Sequence, residues 1–172
     1  MIHRFVVLFL ALFIFVEGVA QKDIWVDSVY ASLSQRQRIA QLFMVAAYSG
    51  ADARSQTQLK KLVDDYGVGG IIFFRGRPIQ QARLTNAMQD LAKVPLLIAM
   101  DAEWGLNMRL DSVHRFPYHI TMGAMSDQSL IYEAGKSIAR QCLRMGVHIN
   151  FAPVADVNNN PDNPVISFRA FG

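Results

Sequence analysis

With a single cysteine, Cys142, this sequence can form no intrachain disulfide, and that residue, inside a predicted helix, reads as a small buried apolar side chain. Histidine is equally poor in pattern. His3, His114, His119 and His148 show neither HxxxH nor HxH spacing, so no metal centre is expected. No glycine-rich loop opens a helix after a predicted strand. Gly67-Val68-Gly69-Gly70 precedes a strand instead, which disfavours a dinucleotide fingerprint and with it a nucleotide cofactor. The nucleophile elbow GxSxG is missing as well. Charged residues make up only 18% of the chain, and the basic ones behind its net charge of +3 are scattered, so nucleic acid is not an expected partner. No cofactor is expected.

What the sequence has in quantity is apolar side chain, 52% of 172 residues, enough for the core of one domain. Part of it is concentrated at the start. Met1-Ile2-His3-Arg4 precedes the apolar run from Phe5 to Val16, and Gly18-Val19-Ala20 supplies small residues before Gln21. That pattern predicts a signal peptide over 1–20, cleaved after Ala20. A membrane span needs about 20 apolar residues, and Glu17 interrupts this run early, so no membrane association is expected after cleavage. Export without disulfides fits a bacterial protein that is periplasmic or secreted. The remaining domain covers 21–172.

Periodicity predicts a helix from Asp27 to Ile39, with Ser34 and Gln37 at capping-box spacing, then a buried strand from Gln41 to Tyr48. A helix from Gln58 to Tyr66 closes at Gly67, and Val68 to Phe74 forms a second strand. Arg75-Gly76-Arg77-Pro78 breaks that strand and leads into a helix from Ile79 to Leu91. Leu96 to Met100 is the third strand, 102–124 a long irregular and functional loop, and Asp127 to Met145 a helix closed by Gly146. Val147 to Val154 is the fourth strand. Strands alternating with helices predict an α/β fold with a parallel sheet. Both a doubly wound sheet and a half-built (β/α)8 barrel accept the pattern, the barrel needing about 250 residues in full.

In either architecture ligands meet the carboxyl ends of the strands, where Asp101 and Asp156 fall. Each carboxylate also suits the capping of a turn or helix. Glu103 reads either as a second ligand or as a brace pairing with Arg109. Trp25 and Trp104 could stack on a sugar ring, although a lone aromatic residue more often packs.

Asp101-Ala102-Glu103-Trp104-Gly105 and Asn150-Phe151-Ala152-Pro153-Val154-Ala155-Asp156-Val157 carry a resemblance to a known family. With GVGGIIFF at 67–74, the FP and MGA pieces within 116–124, and NPVISFRAFG at 163–172, the chain resembles the N-terminal barrel domain of glycoside hydrolase family 3. The bacterial β-N-acetylglucosaminidase branch is the most similar. The resemblance implies a (β/α)8 barrel of which about the first four βα units are present. It implies that Asp101 and Arg169 bind the sugar of the first subsite, while Glu103, Arg109 and Asp156 brace loops or serve the structure. The chain departs from the usual pattern at Trp104 and Leu106, where glycine and arginine are common.

The family's nucleophile, a late aspartate, and the branch's histidine acid or base would both lie beyond Gly172, so no catalytic residue is assigned. The expected function is the sugar-holding part of an exported glycosidase acting with retention on terminal β-N-acetylglucosamine of peptidoglycan or chitin-type glycans. The alternatives are a non-catalytic carbohydrate-binding half-barrel and a fragment of a β-glucosidase of the same family. The expected partner is a carbohydrate, with self-association through exposed half-barrel edges.

Overall fold

A computed structural model of the chain describes residues 23–160 and 162–172, so the signal peptide expected over 1–20 lies outside the described residues. The described residues fall into two units, the first ending at Ser34 and the second spanning 35–172. In the first, helix α1 (Ile24–Ser32) is capped by the Asp23 carboxylate, which accepts from the Trp25 and Val26 amides, and none of its residues is buried. No described helix is long and apolar enough to cross a membrane.

The second unit holds α2 (Gln35–Ala40), β1 (Met44–Tyr48), α3 (Ala53–Lys61) with a π-turn (Leu62–Tyr66), β2 (Gly70–Arg75), α4 (Pro78–Leu91) and β3 (Leu97–Met100). A 3₁₀ turn (Leu106–Met108), α5 (His119–Gly123), α6 (Gln128–Arg144), β4 (Ile149–Asn150) and a last 3₁₀ turn (Ser167–Arg169) follow. All four strands pair in parallel in the order β1-β2-β3-β4. That order decides the choice the sequence left open. A doubly wound sheet reverses strand order at its switch point, whereas a barrel adds each strand beside the last. The fold is the α/β sheet of a partial barrel.

The core lies between the sheet and the helices. Ile71 and Phe73 of β2 and Ile98 and Met100 of β3 alternate onto one face and pack with Leu59, Val63, Met88 and Cys142. The opposite face carries Ala46, Ile72 and Ala99 in register, and it is more open, with Ala46 exposed and Ile72 half-buried.

Several boundaries differ from the sequence reading. The single helix expected over 27–39 is two helices in separate units, because Leu33 takes an extended conformation and stops α1. α3 begins at Ala53, five residues before the expected start at Gln58, because Asp52 accepts from the Ser55 amide and nucleates a polar first turn without apolar periodicity. The segment 102–124 is less irregular than expected, since Leu106, Leu110 and Met122 are buried and anchor its turns.

β4 is shorter than 147–154 because side chains take over ladder positions. The Ile98 amide donates to the His148 ring at 2.9 Å, and the Ala102 amide donates to Asn150 Oδ1 at 2.9 Å. Backbone bonds from His148 to Ile98 and from Phe151 to Met100 keep the segment in line. Pro153, with no amide proton, cannot extend it.

Candidate functional site

The carboxyl end of β3 carries the acidic pair. Asp101 is the first residue past the strand, and the 3₁₀ turn brings Arg109 back to it. Arg109 donates from one terminal nitrogen to Asp101 Oδ2 at 2.8 Å and from Nε to the Asp101 carbonyl at 3.1 Å. Its guanidinium lies over the Phe74 ring, 4.9 Å from the centroid. Asp101 stays partly open, at 26% side-chain exposure, and its Oδ1 accepts no hydrogen bond among the described residues.

Glu103, two residues further on, is the buried member, with 3% of its side chain exposed. It holds Arg169, whose Nε lies 3.2 and 3.1 Å from the two carboxylate oxygens and whose terminal nitrogen lies 2.6 Å from Oε1. The partners are therefore Glu103 with Arg169 and Asp101 with Arg109, not the Glu103–Arg109 brace that the sequence offered as an option. The other terminal nitrogen of Arg169 donates to the Val165 carbonyl at 3.2 Å. A guanidinium carries five N–H groups, so donors remain on Arg169 for a ligand. The hydrogen-bonded Glu103 carboxylate pushes the Arg169 pKa upward, and the charges of Glu103, Asp101 and Asp156 add to that rise. Asp156 is exposed and acts on Arg169 through its charge.

His119 ties these pieces together. It is buried, and its ring nitrogens lie 2.7 Å from the main-chain carbonyl oxygens of Arg169 and Glu103. Phe171 stacks on the ring at 4.5 Å with an 11° interplanar angle. The close seating depends on Gly123, where a Cβ would fall 1.7 Å from the Phe171 carbonyl oxygen. The sequence reading weighed His119 only for metal spacing. Its place between the FP and MGA pieces was the available signal.

Trp104 is half-buried against Tyr118, edge-on at 4.8 Å, and near Phe168 at 6.1 Å, while Arg115 covers the Tyr118 ring at 4.5 Å. It serves as packing for the rim loop. Trp25 lies in the first unit and is 59% exposed.

The arrangement presents one open carboxylate acceptor and one braced guanidinium donor on the same rim. Comparison with known proteins gives the family of the chain. The family model described as glycosyl hydrolase family 3 N terminal domain matches residues 34–172. Beta-hexosaminidase A of Pseudoalteromonas piscicida is 35% identical over 127 residues, covering 66% of this chain and 21% of its own length. A beta-N-acetylglucosaminidase/beta-glucosidase of Cellulomonas fimi is 25% identical over 148 residues, covering 86% of this chain and 26% of its own length. Among solved structures, a beta-glucoside phosphorylase superposes with a TM-score of 0.76 at 24% identity, over 86% of this chain and 26% of that one. The chain thus spans about a quarter of the length of these relatives.

Proposed function

The chain belongs to glycosyl hydrolase family 3, and from that membership we propose that it holds the terminal N-acetylglucosamine of a glycan in an exported glycosidase. The observation that carries this reading is the pairing of opposite hydrogen-bonding characters on one rim. Asp101 offers Oδ1 as a free acceptor, and Arg169, whose guanidinium feels the Asp101 charge, keeps unused donors. A carboxylate accepts from neighbouring hydroxyls and a guanidinium donates in a planar fork, which together suit a sugar ring. Glu103 and Arg109 orient the two ligating side chains.

In the family scheme a carboxylate attacks the anomeric carbon and water later releases the sugar, so configuration is retained. No step of that bond cleavage is assigned to residues 1–172. Glycans of the peptidoglycan or chitin type fit the sugar. A glucoside is the second reading, favoured by the double activity in the name of the Cellulomonas fimi relative. Export to the periplasm or beyond the cell is supported by the basic start and apolar run of residues 1–20.

Self-association belongs to the same proposal. β1 and β4 are unpaired edges among the described residues, and Leu42, Phe43, Leu97 and Phe151 are each at least half exposed nearby. Light scattering on the eluting protein is expected to give a mass above 19.3 kDa, and a clean monomer overturns this part.

The sugar reading is tested by titrating the full chain with N-acetylglucosamine and with glucose, followed by amide NMR shifts. N-acetylglucosamine is expected to bind more tightly. Asp101→Ala is expected to weaken it tenfold or more, since hydrogen bonds to charged groups contribute about 1.5–3 kcal/mol each. Unchanged affinity in that variant removes Asp101 from the site. Tighter binding of glucose favours the glucoside.

A further inference from the structure

Both ring nitrogens of the buried His119 face acceptors that have no proton to give. Nδ1 lies 2.7 Å from the Arg169 carbonyl oxygen, and Nε2 lies 2.7 Å from the Glu103 carbonyl oxygen. A neutral imidazole carries one N–H, so it can donate to only one of these carbonyls. Its other nitrogen would then turn a lone pair on the second oxygen, at a separation into which no water fits. Only the imidazolium, with a proton on each nitrogen, satisfies both contacts.

His148 shows the opposite arrangement in the wall of the same cavity, a space of about 500 Å³ between α6 and the β4 segment. Its Nδ1 accepts from the Ile98 amide at 2.9 Å, so that nitrogen is bare and the ring is neutral. The partners therefore give opposite charges to two histidines that share one cavity.

A buried cation is costly unless its surroundings answer the charge. Around His119 they do. Asp101, Glu103 and Asp156 all act on Arg169, and with Arg109 on Asp101 the group holds three acids against two bases. One proton on His119 brings it to neutrality. Phe171 stacks on the ring at 4.5 Å, and the face of an aromatic ring attracts a cation. Cys142 lines the cavity from α6, and burial pushes its thiol up, so it stays uncharged. α5 brings no titratable group besides His119 itself.

We propose that His119 is a positioning residue that works as an imidazolium, clamping the main chain of Arg169 to that of Glu103 and so setting the guanidinium that faces the sugar. When one proton leaves to solvent, one of the two carbonyl contacts turns repulsive and the 169–171 segment shifts. The link to sugar affinity rests on the reading of Asp101 and Arg169 given above.

The test is nitrogen NMR of the full chain labelled at its histidine rings, assigned through contacts to Phe171. At about pH 7, His119 is expected to show two protonated nitrogens and His148 one bare nitrogen. Between about pH 6 and about pH 9 the 169–171 amides are expected to move in step with loss of the His119 proton, and N-acetylglucosamine affinity to fall about fivefold. His119→Gln, a neutral side chain with two N–H groups, is expected to bind with no such pH dependence. A bare nitrogen on His119 at about pH 7 overturns the proposal whatever the sugar does. Amides at 169–171 that ignore the His119 proton, or a His119→Gln protein with the wild-type pH profile, overturn the clamp. Absence of sugar binding at every pH overturns the first-subsite reading alone, because the ring nitrogens and the 169–171 amides still decide the proton and the clamp.

Discussion

Glu103 and Arg169, 66 positions apart in sequence, meet in an ion pair in which the acid is almost wholly buried and the base is 30% exposed. The asymmetry predicts unequal costs. Arg169→Ala leaves a buried carboxylate without its partner, which in full burial costs about 3–5 kcal/mol; with this base partly solvated, about 2–3 kcal/mol is expected. Glu103→Gln removes the charge but keeps an acceptor, and about 1 kcal/mol is expected. Chemical denaturation of both variants checks the order, and equal losses would mean that burial of Glu103 is not what sets the cost.

His119 predicts a different signature, because it meets the main chain at two separated places. His119→Phe keeps a ring to stack on Phe171 and loses both nitrogen contacts. The carbonyl oxygens of Glu103 and Arg169 then lose a buried partner, at about 1–2 kcal/mol in total for a solvent-poor site. Sugar affinity is expected to fall with it, since Arg169 is no longer held at its main chain, and His119→Gln is expected to recover part of both losses. A His119→Phe protein with wild-type affinity would show that the ring only fills space.

Much of this arrangement was legible in the sequence. Strands alternating with helices gave the α/β class, and the abrupt stop of an apolar run at Asp101 placed the rim, because a polar residue after a buried strand marks where the sheet meets solvent. Two kinds of feature were not legible. The strand order β1-β2-β3-β4 depends on which edge each crossover returns to, and composition is the same for either choice. The pairing of acids with bases depends on loop paths. Asp101 and Glu103 are two residues apart and chemically alike, yet only Glu103 turns inward to Arg169 while Asp101 stays at the rim. The short β4 was hidden for a related reason, since His148 and Asn150 look like strand residues in sequence but use their side chains as ladder acceptors.

The helix caps predict a pH response. Asp52 is lowered from 3.8 by hydrogen bonds from the Ser55 amide and hydroxyl, and Asp127 is lowered from 3.8 by the Ser129 hydroxyl and amide. A carboxylate depressed in the folded state stabilises above its unfolded value and loses that contribution as pH falls through the folded one. The first turns of α3 and α6 are therefore expected to hold at pH 5 and to fray below about pH 3.8, seen as loss of helical shifts at Ser55 and Ser129. Asp52→Asn and Asp127→Asn cap without titrating and are expected to flatten the response. A wild-type profile already flat through this range rules the caps out as its source.

Gly123 predicts a local lesion that separates the site from the core. A Cβ there would sit 1.7 Å from the Phe171 carbonyl oxygen and 2.8 Å from its carbon. Both are main-chain atoms, so no flexible side chain can swing aside to relieve the clash. Gly123→Ala must then push the C-terminal motif away from α5, and the first contact to open is the stack of Phe171 on His119. The upfield ring-current shifts that the two rings impose on each other are expected to disappear, and sugar affinity is expected to drop as Arg169 moves with the motif. Ile71, Phe73 and Ile98 pack on the helix side of the sheet and share no wall with this contact, so their side-chain shifts are expected to stay in place. A variant whose Phe171 signals remain where they are in the wild type shows that the backbone absorbs the methyl group elsewhere, and that Gly123 does not control the seating of the motif.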